Sequence, residues 1–330
     1  MQKRKVLILG TGGTIAGRAQ VAGDNVGYKA GEVPVETLVA PLALTTPWIA
    51  DWEWETRQVA QIDSKDMDTA TWCALAQAVQ TGMNDPVVAA VVITHGTDTL
   101  EETAFFLSQV LQGNKPVVLT CAMRPTSALV PDGPQNLLDA LAVATNPDAQ
   151  GVCVVAAGWV HSAVAVTKVH TYRLDAFSSG DAGPLACVEE GQVRWFRKNT
   201  KKWQISLENI DFLAINLDSL CRLLAGGEWP RVEIVMSHAG ATGALVDALL
   251  RPLFGAAPLA GLVVAGTGNG TVHRSVHLAL QRAQAQGIKV WRTTRCAQGQ
   301  VVEGLSALWP TVVPLSPVKA RIALALALAK

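Results

Sequence analysis

Two short polar stretches follow apolar runs in the first third of the chain, and both carry groups that can do chemistry. Residues 10–17 read GTGGTIAG and include Thr14, whereas residues 94–99 read THGTDT and include Thr97 and Asp98. Glycines in such a turn expose backbone N–H groups beside the hydroxyl and carboxylate side chains. Open α/β sheets bind ligands at the carboxyl ends of their strands, so both stretches are predicted to lie at such an edge.

The first stretch resembles a nucleotide-binding loop, but the resemblance fails at two points. A dinucleotide-binding fingerprint needs a third glycine at position 15, where this chain has Ile15. A phosphate-binding P-loop needs a lysine followed by serine or threonine, and no such pair follows here. The remaining alternatives are a ligand-binding turn and a tight turn that serves the fold alone.

The second stretch also has a purely structural explanation. Thr97, Asp98 or Thr99 could cap a helix that begins at about residue 100. Glu102 could complete a capping box behind Thr99. One cap leaves the other hydroxyl and the carboxylate without a structural role, and surplus polar groups at a sheet edge indicate a site.

Short apolar runs alternate with helical stretches along most of the chain, which predicts an α/β fold. Several runs are nearly continuous in valine, isoleucine, leucine and alanine, as expected for strands of a parallel sheet covered on both faces. The predicted strands are residues 5–9, 87–93, 116–120, 151–157, 232–237, 259–265 and 288–291. The predicted helices are residues 66–81, 100–111, 135–145, 241–253, 272–286 and 317–329, with an antiparallel hairpin at 188–193.

This pattern predicts two doubly wound, Rossmann-like α/β domains, a larger N-terminal one and a smaller C-terminal one. A length of 330 residues also exceeds what one hydrophobic core usually supports. We place the N-terminal domain at 1–196, a linker at 197–212 and the C-terminal domain at 213–330. The linker begins with the basic cluster RKNTKK at 197–202, which favours a solvated connection over an anion site.

Composition excludes several classes of function. Lys plus Arg and Asp plus Glu each number 27, so no basic excess is available to bind nucleic acid. No apolar run approaches the roughly 18 residues of a membrane-spanning helix. The run at 6–9 is also shorter than a signal peptide's apolar segment of about 7–15 residues, so a cytoplasmic protein is expected. His273 and His277 share a helix face without a third ligand in reach, so no metal is predicted.

Taken together, residues 11–17 and 94–99 are similar to the two signature stretches of the L-asparaginase family, the bacterial-type threonine amidohydrolases. The resemblance continues, in the family's order and spacing over roughly residues 5–300, at 63–67, 122–125, 132–137, 166–168 and 266–270. It implies hydrolysis of the side-chain amide of L-asparagine to L-aspartate and ammonia, with some glutaminase activity and without a cofactor.

The resemblance implies a catalytic role for five side chains. Thr14 resembles the nucleophile that forms an acyl-enzyme on the amide carbon, and Tyr28 resembles a tyrosine of a mobile loop that supports it. Thr97, Asp98 and Lys168 resemble a second constellation, in which an uncharged Lys168 acts as a base toward Thr97 or a water. Because threonine hydroxyls are weak nucleophiles at neutral pH, such a base is a chemical requirement.

The resemblance also implies how the substrate is held. Ser64 would hold the α-carboxylate, and Asp98 would pair with the α-ammonium. Backbone N–H groups near Gly96 and Thr97 would stabilise the tetrahedral oxyanion. Asn269 resembles a residue that a partner chain donates to the site, so a homodimer or homotetramer is expected.

Two positions depart from the family's pattern. Lys65 stands where many members have glutamine, and it can donate but not accept a hydrogen bond. It could strengthen the hold on the α-carboxylate, or it could pair with Asp66 at the surface. Glu303 is the only candidate near Arg295 for a partner-chain acid, and its spacing is shorter than usual. Both departures leave the ratio of asparagine to glutamine use open.

Two other assignments are weighed against this one. The asparaginase-like subunit of a tRNA-dependent amidotransferase carries an extra N-terminal domain, whereas here the first signature begins within a dozen residues of Met1. A non-catalytic amino-acid-binding module has no use for two threonines and a lysine base. The sequence therefore favours the asparaginase.

Overall fold

The computed structural model describes residues 4–21, 23–45, 48, 51–197, 217–226, 229–252, 257–302, 309–311 and 315–329. The chain forms two compact units, Met1–Lys201 and Lys202–Lys330. The division falls inside the predicted linker 197–212, whose residues from 198 onward, with most of the basic cluster, lie outside the described residues. The domain and linker boundaries therefore stay a prediction.

The first unit is built on one large sheet. Its strands, with two small ribbons, are β1 (Lys5–Gly12), β2 (Arg18–Ala19), β3 (Tyr28–Lys29), β4 (Glu53–Ile62), β5 (Val88–Thr94), β6 (Val117–Thr120), β7 (Val152–Ala156), β8 (Trp159–Ser162), β9 (Thr167–Lys168), β10 (Phe177–Ser178), β11 (Ala186–Glu189) and β12 (Gln192–Trp195). Its helices are α1 (Val35–Thr45), α2 (Thr69–Asn84), α3 (Leu100–Val110) and α4 (Gly133–Thr145).

The strand order of the large sheet makes β1 and β5 neighbours, one strand in from the edge strand β4. The order is β12-β11-β8-β7-β6-β5-β1-β4, with parallel pairing from β4 to β7 and antiparallel pairing from β7 to β12. Among the five parallel strands the chain order is 2-1-3-4-5, so the direction of winding reverses between β1 and β5. In such folds the crevice at the carboxyl ends of these two strands is the usual ligand site.

Helices cover both faces of this sheet, which explains why its inner strands are almost wholly apolar. Val6 and Ile8 of β1 belong to a buried cluster with residues of α1 and α4. Leu7, which points the other way, packs where Gly82 of α2 leaves room for it. Alternate residues of one strand thus reach helices on opposite faces, as expected for a parallel sheet between two helical layers.

The second unit is a smaller α/β unit with a three-stranded parallel sheet in the order β13-β14-β15. Its apolar cluster joins Val235, Leu262 and Val264 of the sheet to the helices before and after β14. Leu324 of the last helix packs against Gly261 on the sheet. The elements are α5 (Leu217–Ala225), β13 (Arg231–Met236), α6 (Ala244–Leu249), β14 (Leu259–Gly266), α7 (Arg274–Ala285), β15 (Lys289–Thr294) and α8 (Pro317–Leu328).

The predicted α/β fold with a larger and a smaller unit is confirmed, but several elements were missed. The hairpin at 188–193 forms as β11 and β12, and α8 begins at Pro317 behind the N-cap residue Ser316. Helix α1 and edge strand β4 were not predicted. Strand β4 carries Glu53, Glu55 and Arg57 and has no fully buried residue, so it lacks the apolar pattern of a central strand.

The described residues contain neither a membrane-spanning helix nor a cluster of metal-binding side chains. None of their helices combines the length and the apolar character needed to cross a membrane. No group of three or more His, Cys, Asp or Glu side chains in this part of the chain could hold a metal ion. His273 accepts the N–H of Ser275 as the cap of α7, and the ring of His277 lies 4.9 Å from that of Trp309.

Candidate active site

Thr14 lies at the carboxyl end of β1, where the chain turns sharply. Gly12 and Gly13 adopt positive φ angles of 101° and 78°, a region that favours glycine, and a short 3₁₀ turn from Thr14 to Ala16 follows. Thr14 is only 7% exposed. The two glycines therefore place a buried hydroxyl at the edge of the sheet.

The two signature stretches touch through their glycines. A methyl group on Gly13 would collide with the backbone of Gly96, and one on Gly96 would collide with Ser64. Thr11 adds a second link, because its hydroxyl donates to the carbonyl of Thr94 over 2.9 Å. The absence of side chains at positions 13 and 96 thus lets the ends of β1 and β5 and the turn at Ser64 approach closely.

Tyr28 is the immediate partner of Thr14. The phenol oxygen of Tyr28 lies 2.6 Å from Oγ1 of Thr14, and either hydroxyl can donate. Burial raises the pKa of Tyr28, the hydrogen bond with Thr14 lowers it, and the negative charges of Asp63 and Asp98 raise it further. The net effect is upward, so the phenol stays protonated at neutral pH and can relay a proton to or from Thr14.

Thr97, Asp98 and Lys168 form a compact polar cluster at the carboxyl end of β5. Nζ of Lys168 lies 2.8 Å from Oγ1 of Thr97 and 2.6 Å from Oδ1 of Asp98. Lys168 is on β9, which pairs with β10 in the register Lys168 to Phe177. The Lys168 side chain is 18% exposed, and Thr97 is 6% exposed. The structure therefore brings the three predicted members of the second constellation into direct contact.

Ser64 joins this cluster through two hydrogen bonds from the second signature stretch. Its Oγ accepts the N–H of Asp98 over 3.2 Å, and its carbonyl accepts the hydroxyl of Thr99 over 2.7 Å. Thr99 does occupy the N-cap position of α3, but its hydroxyl makes no capping bond. The capping-box alternative therefore fails at Thr99, because the Thr99 hydroxyl is used between the two loops.

His95 is buried directly before Gly96. Its Nδ1 lies 2.7 Å from the carbonyl of Gly96, and the ring is completely buried. Burial lowers the pKa of His95 to about 4, against the opposing effect of the hydrogen bond with Gly96. A neutral imidazole can donate from Nδ1 to this carbonyl, which holds the peptide between Gly96 and Thr97 in place.

Lys65 lies beside the site with its ammonium group directed to two aspartates. Nζ is 2.9 Å from Oδ2 of Asp63 and 3.0 Å from Oδ2 of Asp66, and the side chain is 61% exposed. The hydrogen bonds with Asp63 and Asp66 raise the pKa of Lys65 to about 12. These ion pairs favour the alternative in which Lys65 pairs with Asp66 at the surface over the one in which it binds the substrate α-carboxylate.

Two of the predicted site residues lie in the second unit. Both polar atoms of the exposed Asn269 side chain bind the backbone of Val302: Nδ2 donates to its carbonyl over 2.8 Å, and Oδ1 accepts its N–H over 2.7 Å. Asn269 therefore fixes the chain directly before Glu303. Glu303 itself lies outside the described residues.

Sequence reasoning missed Thr99, Thr126 and Ser127. Thr99 was assigned to helix capping, and its contact with Ser64 joins residues 35 positions apart. Thr126 and Ser127 directly follow the stretch at 122–125 that resembles the family, which is the one signal in the sequence that could have drawn attention to them. Both contact the segment between Thr14 and Tyr28, as described below.

Comparison with known proteins gives consistent matches over both units. Residues 5–201 match the family model described as "Asparaginase, N-terminal", and residues 231–330 match "Glutaminase/Asparaginase C-terminal domain". The glutaminase-asparaginase of Acinetobacter glutaminasificans is 35% identical, over 99% of this chain and 96% of that protein. The probable periplasmic L-asparaginase of Haemophilus influenzae is 35% identical, over 98% of this chain and 88% of that protein.

A solved structure shows the same fold. The crystal structure of a probable cytoplasmic L-asparaginase from Campylobacter jejuni superposes with a TM-score of 0.83 at 34% sequence identity. The match covers 99% of this chain and 96% of that one. Both the family models and the structural match therefore include the elements that carry the site.

Proposed function

The chain belongs to the asparaginase family, and on that premise we propose that it hydrolyses the side-chain amide of L-asparagine to L-aspartate and ammonia. The observation that carries the proposal is the contact of Thr97 with Lys168 and Asp98 beside the Thr14 loop. A binding module has no use for a lysine that contacts a buried threonine hydroxyl, whereas a hydrolase needs a base near its nucleophile. The names of the relatives support the same substrate class.

In the first half of the proposed reaction, Oγ1 of Thr14 attacks the amide carbon of asparagine. The hydroxyl proton passes to Tyr28, whose phenol lies 2.6 Å away and carries its own proton onward. The tetrahedral oxyanion is stabilised by backbone N–H groups near Gly96 and Thr97. The carbon–nitrogen bond then breaks, and ammonia leaves with the transferred proton, so an aspartyl ester of Thr14 remains.

In the second half, water hydrolyses this ester. An uncharged Lys168 then takes a proton through Thr97 from the attacking water. The hydroxide adds to the ester carbonyl, and the tetrahedral intermediate breaks the ester bond to Thr14. Oγ1 of Thr14 then takes the proton of the Tyr28 phenol, which lies 2.6 Å away, and the proton held by Lys168 returns through solvent to Tyr28.

Substrate binding is proposed to use both loops of the site. Ser64 holds the α-carboxylate, and Gly96 keeps this position open because any side chain there would meet Ser64. Oδ1 of Asp98 contacts Lys168, which leaves Oδ2 to pair with the α-ammonium. Lys65 contributes little, because its ammonium group is already paired with Asp63 and Asp66.

The experiment that tests this function compares initial rates of ammonia release by the purified protein on L-asparagine, L-glutamine and D-asparagine. We expect the highest rate on L-asparagine and a lower, measurable rate on L-glutamine. No release from L-asparagine would contradict the proposal and would favour a binding module or the amidotransferase subunit. A higher rate on L-glutamine would reassign the substrate within the family.

We further propose that the chain works as a homodimer or homotetramer with sites completed by a partner chain. The family resemblance at Asn269 and Glu303 supports this assembly. The two hydrogen bonds between the Asn269 side chain and the backbone of Val302, directly before Glu303, support it as well. Specific activity should then fall on dilution that dissociates the assembly. A fully active monomer in sedimentation experiments would contradict it.

We also propose a cytoplasmic location. The similarity to a probable cytoplasmic L-asparaginase from Campylobacter jejuni supports this location. The relative from Haemophilus influenzae is named as periplasmic, so the family as a whole does not decide the matter. Fractionation of the source cells tests the proposal: the protein should appear with soluble cytoplasmic markers, and recovery from the cell envelope fraction would contradict it.

A further inference from the structure

A short two-stranded ribbon, formed by β2 and β3, carries Tyr28. Strands β2 and β3 pair only through Arg18 with Lys29 and Ala19 with Tyr28. So short a ribbon is marginal in water without other contacts. We call this ribbon, formed by β2 and β3, the Tyr28 hairpin. The position of Tyr28 beside Thr14 must therefore depend on contacts that the rest of the chain makes with the hairpin.

One side of the Tyr28 hairpin is held by two consecutive residues, Thr126 and Ser127. The N–H and the hydroxyl of Thr126 donate to the carbonyl of Gly17 over 2.9 and 2.7 Å. The N–H of Ala19 donates to Oγ of Ser127 over 2.8 Å, and the N–H of Gly23 donates to its carbonyl over 3.2 Å. Ser127 thus contacts the hairpin at two points between Thr14 and Tyr28.

The loop that presents Thr126 and Ser127 is itself well fixed. The carboxylate of Asp132 accepts the N–H groups of Met123 and Arg124, each over 2.9 Å. The guanidinium of Arg124 donates to the carbonyl of Val130 over 3.1 Å, across the same loop. The N–H of residue 128 donates to the carbonyl of residue 125 and closes a turn around the two residues. These hydrogen bonds fix the loop, so Thr126 and Ser127 hold the Tyr28 hairpin from a defined position.

The held side of the hairpin touches Tyr28 directly. A methyl group on Gly17 would lie 2.7 Å from Cδ2 of the Tyr28 ring, so the ring rests against the backbone whose carbonyl Thr126 holds. A shift of Gly17 or Ala19 therefore moves the surface on which Tyr28 lies. The phenol would then leave the 2.6 Å contact with Thr14.

We propose that Ser127 is a positioning residue for catalysis, whose hydroxyl holds the Tyr28 hairpin in the arrangement that brings the phenol to Thr14. It acts through Ala19 and the hairpin rather than on the reacting atoms. This inference rests on the proposed function, since the position of Tyr28 bears on turnover only if Thr14 is the nucleophile. It adds a residue outside both signature stretches to those that set the rate.

The test uses the full-length protein and three variants. Ser127→Ala removes the hydroxyl that accepts the N–H of Ala19, and Ser127→Thr keeps a hydroxyl there. Ser108→Ala is the matched control, because the Ser108 hydroxyl donates to the carbonyl of Phe105 within α3, away from the hairpin. Two experiments are made on each protein. Steady-state kinetics give kcat and KM on L-asparagine, and limited trypsin digestion gives the rate of cleavage after Arg18 and Lys29 relative to cleavage after the exposed Arg173.

For Ser127→Ala we expect a fall in kcat of about 3- to 10-fold and a rise of similar size in relative cleavage after Arg18 and Lys29, the effect of losing one hydrogen bond. Ser127→Thr and Ser108→Ala should match the wild type in both measurements. An unchanged cleavage ratio or an unchanged kcat in Ser127→Ala would overturn the proposal, as would a Ser127→Thr variant as impaired as Ser127→Ala. If the wild type releases no ammonia from L-asparagine, the proposed function fails, and the cleavage ratio still decides whether Ser127 holds the hairpin.

Discussion

Nζ of Lys168 lies 2.8 Å from Oγ1 of Thr97, although 71 positions separate the two residues in the chain. The contact depends on strand β9, a two-residue element outside the large sheet. The fold thus brings a side chain from the unit's second half to the edge where β1 and β5 end. Asp98 completes the group at 2.6 Å from the same nitrogen.

The first prediction concerns this contact. Thr97→Ala and Lys168→Met should each lower kcat on L-asparagine by at least about 10³-fold, because both remove the path by which a water loses its proton. Steady-state kinetics measure the effect, with circular dichroism as the control for folding. A Lys168→Met variant that keeps near-normal turnover would show that the lysine only balances the charge of Asp98.

The second prediction concerns Thr99, whose hydroxyl holds the carbonyl of Ser64. Thr99→Val keeps the shape of the side chain but removes this hydrogen bond, so the turn at Ser64 should lose its fixed position. We expect KM for L-asparagine to rise by about 3- to 10-fold with a smaller change in kcat. Thr99→Ser should restore KM, since it keeps the hydroxyl.

The control for Thr99 is Thr145→Val. The Thr145 hydroxyl donates to the carbonyl of Leu141 within α4, so its removal costs a hydrogen bond of the same kind away from the site. Both kinetic constants should stay at their wild-type values. An equal rise of KM in the two variants would mean that the effect of Thr99→Val is a general loss of stability.

The third prediction concerns Lys65, which the sequence left between two roles. Because its ammonium group is paired with Asp63 and Asp66 and is largely exposed, Lys65→Gln should change KM by less than about 2-fold, as usual for surface ion pairs. The preference for L-asparagine over L-glutamine should also stay the same. A large increase in KM would assign Lys65 to the substrate carboxylate after all.

The fourth prediction concerns the stability contributed by His95. Its pKa is lowered from 6.5 to about 4 in the folded protein, so the unfolded chain binds a proton at a higher pH than the native one does. The contribution of neutral His95 to the free energy of unfolding is therefore fully present above pH 6.5. It is lost as the pH falls through 4, and the loss from this residue is about 3 kcal/mol. Chemical denaturation at several pH values should show a smaller acid loss in His95→Gln than in the wild type.

The control for this experiment is His238→Gln, since His238 is exposed. Its free energy of unfolding should follow the wild-type pH dependence between 6.5 and 4. Equal acid losses in the wild type and in His95→Gln would show that protonation of other groups accounts for the loss.

The sequence was sufficient for the buried parallel strands and for the loops at their ends, because burial leaves a clear pattern in the sequence. Strands β1 and β5 are buried on both faces, so their apolar runs are unbroken and end abruptly at polar residues. Strand β4 lies at the edge of the sheet, where Glu53 and Arg57 are tolerated, so the same rule could not find it. The polar contacts of Thr99 and Ser127 join distant parts of the chain, and spacing along a sequence carries no record of such pairs.

The most direct test of the account is the rate of ammonia release from L-asparagine by Thr14→Ala, measured beside Thr14→Ser and the wild type. If Thr14 is the nucleophile, Thr14→Ala should lose at least about 10³-fold in kcat with an unchanged circular dichroism spectrum, because no acyl-enzyme can form. Thr14→Ser keeps a hydroxyl within reach of Tyr28 and should retain measurable turnover. Near-normal turnover by a folded Thr14→Ala would contradict the central claim that this threonine forms the acyl-enzyme.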